Sequence, residues 1–153
     1  MKQYKKARGF TLIEILVVIG IIAILAAVVI IAINPARQFA QARNSQRQAN
    51  ITTILNAIGQ DVVDNKGTFT CPLAGTAPSA AATNIGTGAG LVDLVTCLVP
   101  TYIPSAVPTD PTGGTPADTK YTVAVDANGR FTVCAPGSVE VALGSPAALC
   151  LTR

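Results

Sequence analysis

The chain has 153 residues, a formal net charge of +3, 12% charged residues and no histidine. That length holds one membrane helix and one small soluble domain. The missing histidine excludes the usual catalytic triads and most metal constellations, and the weak charge does not mark a nucleic-acid-binding face.

Met1 to Gly9 is a short basic leader carrying Lys2, Lys5, Lys6 and Arg8. Cations before an apolar run hold the N-terminus on the cytoplasmic side. From Ile15 to Ile33 no residue is charged. At about 1.5 Å per residue this run spans a bilayer core of roughly 30 Å as a helix. Glu14 is the one acid in the apolar stretch, and an acid near the end of a span is a functional candidate. A secreted chain is the competing reading. A secretory signal has a shorter apolar core, of about 7–15 residues, with small residues after it. Here that alternative places the cut near Ala32 to Ala36.

Gly9-Phe10-Thr11-Leu12-Ile13-Glu14 resembles the N-terminal signature of type IV pilins and type II secretion pseudopilins. The resemblance covers Lys5 to Ile33. It implies a prepilin peptidase that cuts between Gly9 and Phe10 and methylates the new N-terminus. It implies that Phe10 and Glu14 form the assembly end, Glu14 pairing with the N-terminus of a neighbouring subunit. It also implies other copies of the chain, an assembly ATPase, an inner-membrane platform protein and the membrane as partners. Glycine suits the cut because it gives a protease an unobstructed backbone. An acid in the first turn is also favoured by the helix dipole alone, the structural alternative for Glu14.

Asn34-Pro35 interrupts the helical pattern, because proline removes a hydrogen bond and clashes with the preceding turn. The helix either kinks there or stops and restarts. Ala36 to Lys66 is predicted helical, with Ile51, Ile54, Leu55, Ile58 and Val62 on one face. Gln41 to Asn50 is polar all round and is expected outside any core. Arg37, Arg43 and Arg47 are read as a solvated face or as subunit contacts. Asn65-Lys66-Gly67 supplies the stop. An unbroken helix from Phe10 to Asn65 would be roughly 80 Å long.

Thr68 to Gly90 reads as loop, and Leu91 to Val99 as a short helix ending before Pro100. Pro108-Thr109-Asp110-Pro111 resembles the loop before the sheet of major pseudopilins, where the resemblance implies a possible calcium ion. Asp110 and Asp118 are the candidates. Gly113-Gly114 departs from the family pattern, and two carboxylates fall short of the six to eight oxygens calcium takes, so a proline-stiffened turn is the favoured reading. Tyr121–Val125 and Arg130–Cys134 are predicted strands joined by an Asn-Gly hairpin turn. Val139–Leu143 is the candidate third strand, and Ser145 to Arg153 has little pattern.

Four cysteines, Cys71, Cys97, Cys134 and Cys150, follow the apolar run. Outside the membrane an even count without CxxC spacing favours two disulfides over zinc. Three pairings are possible. Cys71–Cys97 with Cys134–Cys150 closes the shortest loops and is preferred.

The predicted fold is α+β and pilin-like: a leader (1–9), a transmembrane helix (10–33), an amphipathic helix (34–66) and a disulfide-bonded domain with a small antiparallel sheet (67–153). No cofactor is expected, and the chain reads as a processing substrate rather than an enzyme. The leading function is a structural pilin or pseudopilin subunit, membrane-held before assembly and at the cell surface afterwards. The alternative is a single-pass anchor presenting a binding domain that does not polymerise.

Overall fold

The structure is a computed structural model and describes residues 9–69, 71, 81–144 and 147–153. The leader cations Lys2, Lys5, Lys6 and Arg8 therefore lie outside the described residues. So do most of the first half of the expected 68–90 loop and residues 145–146. The chain forms two compact units, one ending at Gln38 and one covering Phe39–Arg153.

The first unit is built on α1 (Leu12–Ala32). Thr11 is its N-cap, and Ile33 ends it in an extended conformation. Asn34 then caps the next helix: its Oδ1 accepts the Arg37 N–H at 3.2 Å. Pro35 occupies the first helical position, where its missing N–H costs nothing. The helix thus stops at Ala32 and restarts at Pro35, so no single helix runs from Phe10 to Asn65.

The second helix, α2 (Pro35–Asp64), buries Ile51, Ile54, Leu55, Ala57 and Ile58. These recur at steps of three and four, the spacing that aligns side chains on one helix face. Val62 packs half-buried beside them. The helix ends where Lys66 and Gly67 take left-handed backbone, φ 57° and 91°. There the Gly67 N–H reaches back to the Val62 carbonyl at 2.8 Å, so an orphan carbonyl of the last turn is satisfied.

This apolar face covers a four-stranded antiparallel sheet in the order β1 (Thr83–Asn84), β2 (Thr122–Val125), β3 (Phe131–Ala135), β4 (Leu149–Thr152). Val123 stands opposite Val133, and Val133 opposite Leu151. Val123 and Val133 are fully buried, with Tyr121 and Ala135. Cys134 is one residue on from Val133. The two-residue period therefore turns it to the other face, where it stands opposite Cys150 and is bonded to it. The second disulfide joins Cys71 to Cys97. The β2–β3 turn is organised by Asp126, whose Oδ1 accepts the N–H groups of Asn128 and Arg130 at 2.8 and 2.9 Å.

Four expectations are corrected. Val139–Leu143 is not a strand: Pro136–Ser138 and Val141–Leu143 are single 3-10 turns. The third main strand is Leu149–Thr152, within the segment expected to lack pattern. Four residues are too few to show periodicity, and their strand state comes from pairing with β3. The predicted helix over Leu91–Val99 shrinks to one turn, α3 (Val95–Leu98). Val92 instead bridges Ile85, and both are buried. Thr83–Asn84, expected in a loop, pairs with β2.

The fourth correction concerns the polar turns of α2. Arg47 is 1% exposed, and Ala40 is fully buried. Arg47 is not on a solvated face. Its Nε and Nη2 donate to the two carboxylate oxygens of Asp110 at 2.6 and 3.0 Å. Its Nη2 also donates to Thr112 Oγ1 at 2.9 Å. Its Nη1 donates to Asn44 Oδ1 at 2.9 Å and to Glu140 Oε1 at 2.7 Å. All five guanidinium N–H groups are thus engaged. Arg43 grips the same Glu140 with two further bonds, both 2.7 Å. Two cations and two anions are balanced, so α2 is fastened to the 109–114 loop and to the turn at Glu140.

Gly114 sits inside this loop, and a Cβ there would collide with the backbone of Asp110 and of Thr119. Gly114→Ala is expected to cost about 1–3 kcal/mol, the usual penalty of overpacking, seen as a lower urea midpoint with an unchanged m-value.

Candidate functional site

The N-terminal end of α1 is built by Thr11 and Glu14. The Thr11 hydroxyl accepts the Glu14 N–H at 3.3 Å. Glu14 Oε2 accepts the Thr11 N–H at 2.7 Å and the Thr11 hydroxyl at 2.8 Å. This reciprocal capping box satisfies two donors that a helix start leaves open. The sequence spacing of three between a threonine and a glutamate carries that signal. Every bond uses Oε2; Oε1 has no partner among the described residues.

Gly9 and Phe10 precede the cap. Gly9 is exposed, and nothing lies within 4 Å of where a side chain would start. Phe10 is 84% exposed. Both residues of the 9–10 peptide bond are therefore exposed ahead of the helix. Beyond the cap, apolar side chains are exposed on all sides of α1, from Leu12, Ile13 and Ile15 to Val28, Val29 and Ile30. Water does not tolerate such a surface: each large apolar side chain left exposed forgoes roughly 1.5–3 kcal/mol. Among the described residues one helix is long and apolar enough to cross a membrane, Leu12–Ile30. Glu14 falls in its first turn.

The calcium candidates are far from this end in sequence, and neither carboxylate is free. Asp110 faces the Arg47 guanidinium, with both groups almost wholly buried. Asp118 is bonded to the Lys120 ammonium at 2.6 Å, and the Lys120 side chain and N–H hold its carboxyl below the ordinary range. Asp118 is turned toward Lys120 and Asn84, Asp110 toward Arg47. No group of three or more metal-ligating side chains occurs among the described residues.

Glu140, absent from the sequence candidates, accepts hydrogen bonds from both Arg43 and Arg47. Hydrogen bonds from Arg43 first, then Arg47, hold its carboxyl down at about 2, against an ordinary 4.5. The folded state thus binds this proton more weakly than the unfolded chain. Its contribution to stability is complete above pH about 4.5 and is lost as the pH falls toward 2. Glu140→Gln is expected to lower the melting temperature near pH 6 and to flatten the melting-temperature profile between pH 4.5 and 2. A profile unchanged in slope would show that Glu140 is not the group responsible.

Residues 4–32 match one family model, the prokaryotic N-terminal methylation motif, which is the signature of type IV pilins and pseudopilins. No curated protein and no solved structure matches the chain. The match covers the N-terminal stretch alone; the motif indicates a pilin-like substrate of prepilin peptidase. The motif and the apolar helix together fit a membrane-anchored precursor.

Proposed function

We propose that the chain is a structural subunit of a type IV pilus-like filament, cut between Gly9 and Phe10 and polymerised through α1. The observation that carries this reading is the pairing of an all-round apolar helix with a carboxylate held at its head. Before the cut, the bilayer covers the helix. After it, neighbouring copies of the same helix provide an equivalent apolar cover in the filament. Cleavage creates an ammonium on Phe10. Glu14 keeps one oxygen in its own capping box and offers the other, Oε1, to the ammonium of a neighbour. Pairing removes two charges from the apolar bundle together and fixes the stagger between subunits. A platform protein in the membrane and an ATPase would supply the work of extraction. The disulfide-bonded Phe39–Arg153 unit is then the part displayed at the cell surface.

The test is the mass of the mature N-terminus after co-expression with a prepilin peptidase, joined to sedimentation of sheared cell-surface material. A chain starting at Phe10, with or without one methyl group, recovered as filaments is the expected result. An intact leader on a non-sedimenting protein would establish the monomeric anchor instead. A start after Ala32 or Ala36 would establish a secreted domain.

A further inference from the structure

The Phe39–Arg153 unit exposes few large apolar side chains, and most of them share one end. Among its described residues they are Phe39, Val63, Val139 and Val141, at 66%, 77%, 50% and 98% exposure. Val63 stands near the end of α2. The other three lie toward the end where α2 enters the unit. Glu140, between the two valines, accepts from Arg43 at 2.7 Å, and Asn44 Nδ2 donates to the Ser138 carbonyl at 3.0 Å. Arg43 is four residues on from Phe39, the next turn of the same helix face. The 139–141 turn is therefore fixed at the level of the first turns of α2. Single exposed apolar residues are ordinary, whereas a cluster marks a contact. This end also lacks an unpaired acid. From Pro35 to Gln60 there is no Asp or Glu, and Glu140 is held by Arg43 and Arg47. Arg37, two residues before Phe39, is exposed and has no ion-pair partner among the described residues.

We propose that Phe39, Val139 and Val141 form a lipid-contacting edge of this unit, seated in the headgroup layer of an anionic phospholipid bilayer before assembly. The contact rests on the membrane-held precursor of the reading above and does not require polymerisation. Continuity with the apolar span selects the bilayer as the occupant. Helix α1 ends at Ala32 and α2 begins at Pro35. Phe39 follows Pro35 by about 6 Å of helix, at 1.5 Å per residue. The two headgroup layers together add about 10–15 Å to a hydrocarbon core of roughly 30 Å, so this turn of α2 starts in or beside one of them. Helical side chains lean toward the N-terminus of their helix, which here is the end joined to α1. An aromatic ring is at home at that depth. A guanidinium just beyond the span, that of Arg37, is drawn to anionic headgroups, and apolar contact adds to this attraction. An unpaired carboxylate would oppose it, and this end presents none among the described residues.

The chain contains no tryptophan, so one introduced tryptophan reports on one position. The full uncut chain would be reconstituted at low density into vesicles of equal parts phosphatidylcholine and phosphatidylglycerol, with bromine on the acyl chains near the headgroups as quencher. Phe39→Trp and Val141→Trp are each expected to lose at least half of their emission to bromine, and Val63→Trp at most a tenth. Val141→Asp, at a position already open to solvent, is expected to leave the melting temperature unchanged and to lower the quenching of the Phe39→Trp reporter at least twofold. Unquenched emission from Val141→Trp, or equal quenching of Val141→Trp and Val63→Trp, overturns the contact and leaves the filament reading standing. So does a Phe39→Trp reporter that Val141→Asp does not affect. Shielding from bromine that grows with protein density would place a second copy on the patch, and it overturns the lipid contact in the same way. A chain recovered with its N-terminus after Ala32 or Ala36, and so without α1, overturns the filament reading and this contact together.

Discussion

Arg47→Met is expected to destabilise the Phe39–Arg153 unit by about 3–5 kcal/mol, the cost of leaving one partner of a buried ion pair alone. In a unit of this size that lowers the melting temperature by on the order of 10–30 °C. The reason lies in what remains. Asp110 keeps only the Thr112 N–H, at 2.7 Å, for a carboxylate that is 1% exposed. Glu140 keeps Arg43 at the rim of the site. Methionine fills most of the volume of the lost stem and supplies no donor, so the loss is electrostatic rather than a cavity. Arg47→Met combined with Asp110→Asn removes the stranded charge and is expected to recover at least half of the deficit. Thermal melts of the full chain in detergent, followed by circular dichroism, measure both. A single variant within about 1 kcal/mol of the unaltered chain would place this pair among the weakly contributing surface bridges.

The second large effect concerns assembly, not folding. Glu14→Gln keeps the capping box, since glutamine serves as well as glutamate at that position, and removes only the charge. Glu14→Ala removes both. If Glu14 acts only as a cap, Gln is silent and Ala costs about 0.5–2 kcal/mol at the helix start. If it receives a neighbour's ammonium, both variants strand a positive charge among apolar helices at about 3–5 kcal/mol per contact. At 1.4 kcal/mol per factor of ten, each subunit addition weakens by about two to three and a half orders of magnitude. Filament yield from Glu14→Gln is therefore expected to collapse along with that from Glu14→Ala, while cleavage at Gly9 proceeds in both. Normal filaments from Glu14→Gln would reduce the residue to its local capping role.

What was legible in the sequence is local. The apolar length of α1 and the interruption of the helical pattern at Asn34-Pro35 each act within a few residues. So do the three-four spacing of Ile51, Ile54, Leu55 and Ile58 and the Asn-Gly turn between β2 and β3. Steric and hydrogen-bonding rules on that scale are properties of neighbours along the chain, and they extend to the membrane span and the peptidase motif.

Only the tertiary structure decided the fate of the polar residues and of the short strands. Arg47 meets partners 63 and 93 positions away, and Arg43 one 97 away. A run of glutamine, asparagine and arginine looks solvated until those carboxylates arrive, because desolvating a guanidinium is unfavourable without them and permitted with them. Leu149–Thr152 is a strand because β3 offers it an edge and Cys134 faces Cys150, while Val139–Leu143 is denied that edge. Leu91–Leu94 has helical spacing, yet Val92 pairs with Ile85. Periodicity states which side chains want burial; which surface buries them, and in what backbone, is settled by contacts between segments that no local pattern records.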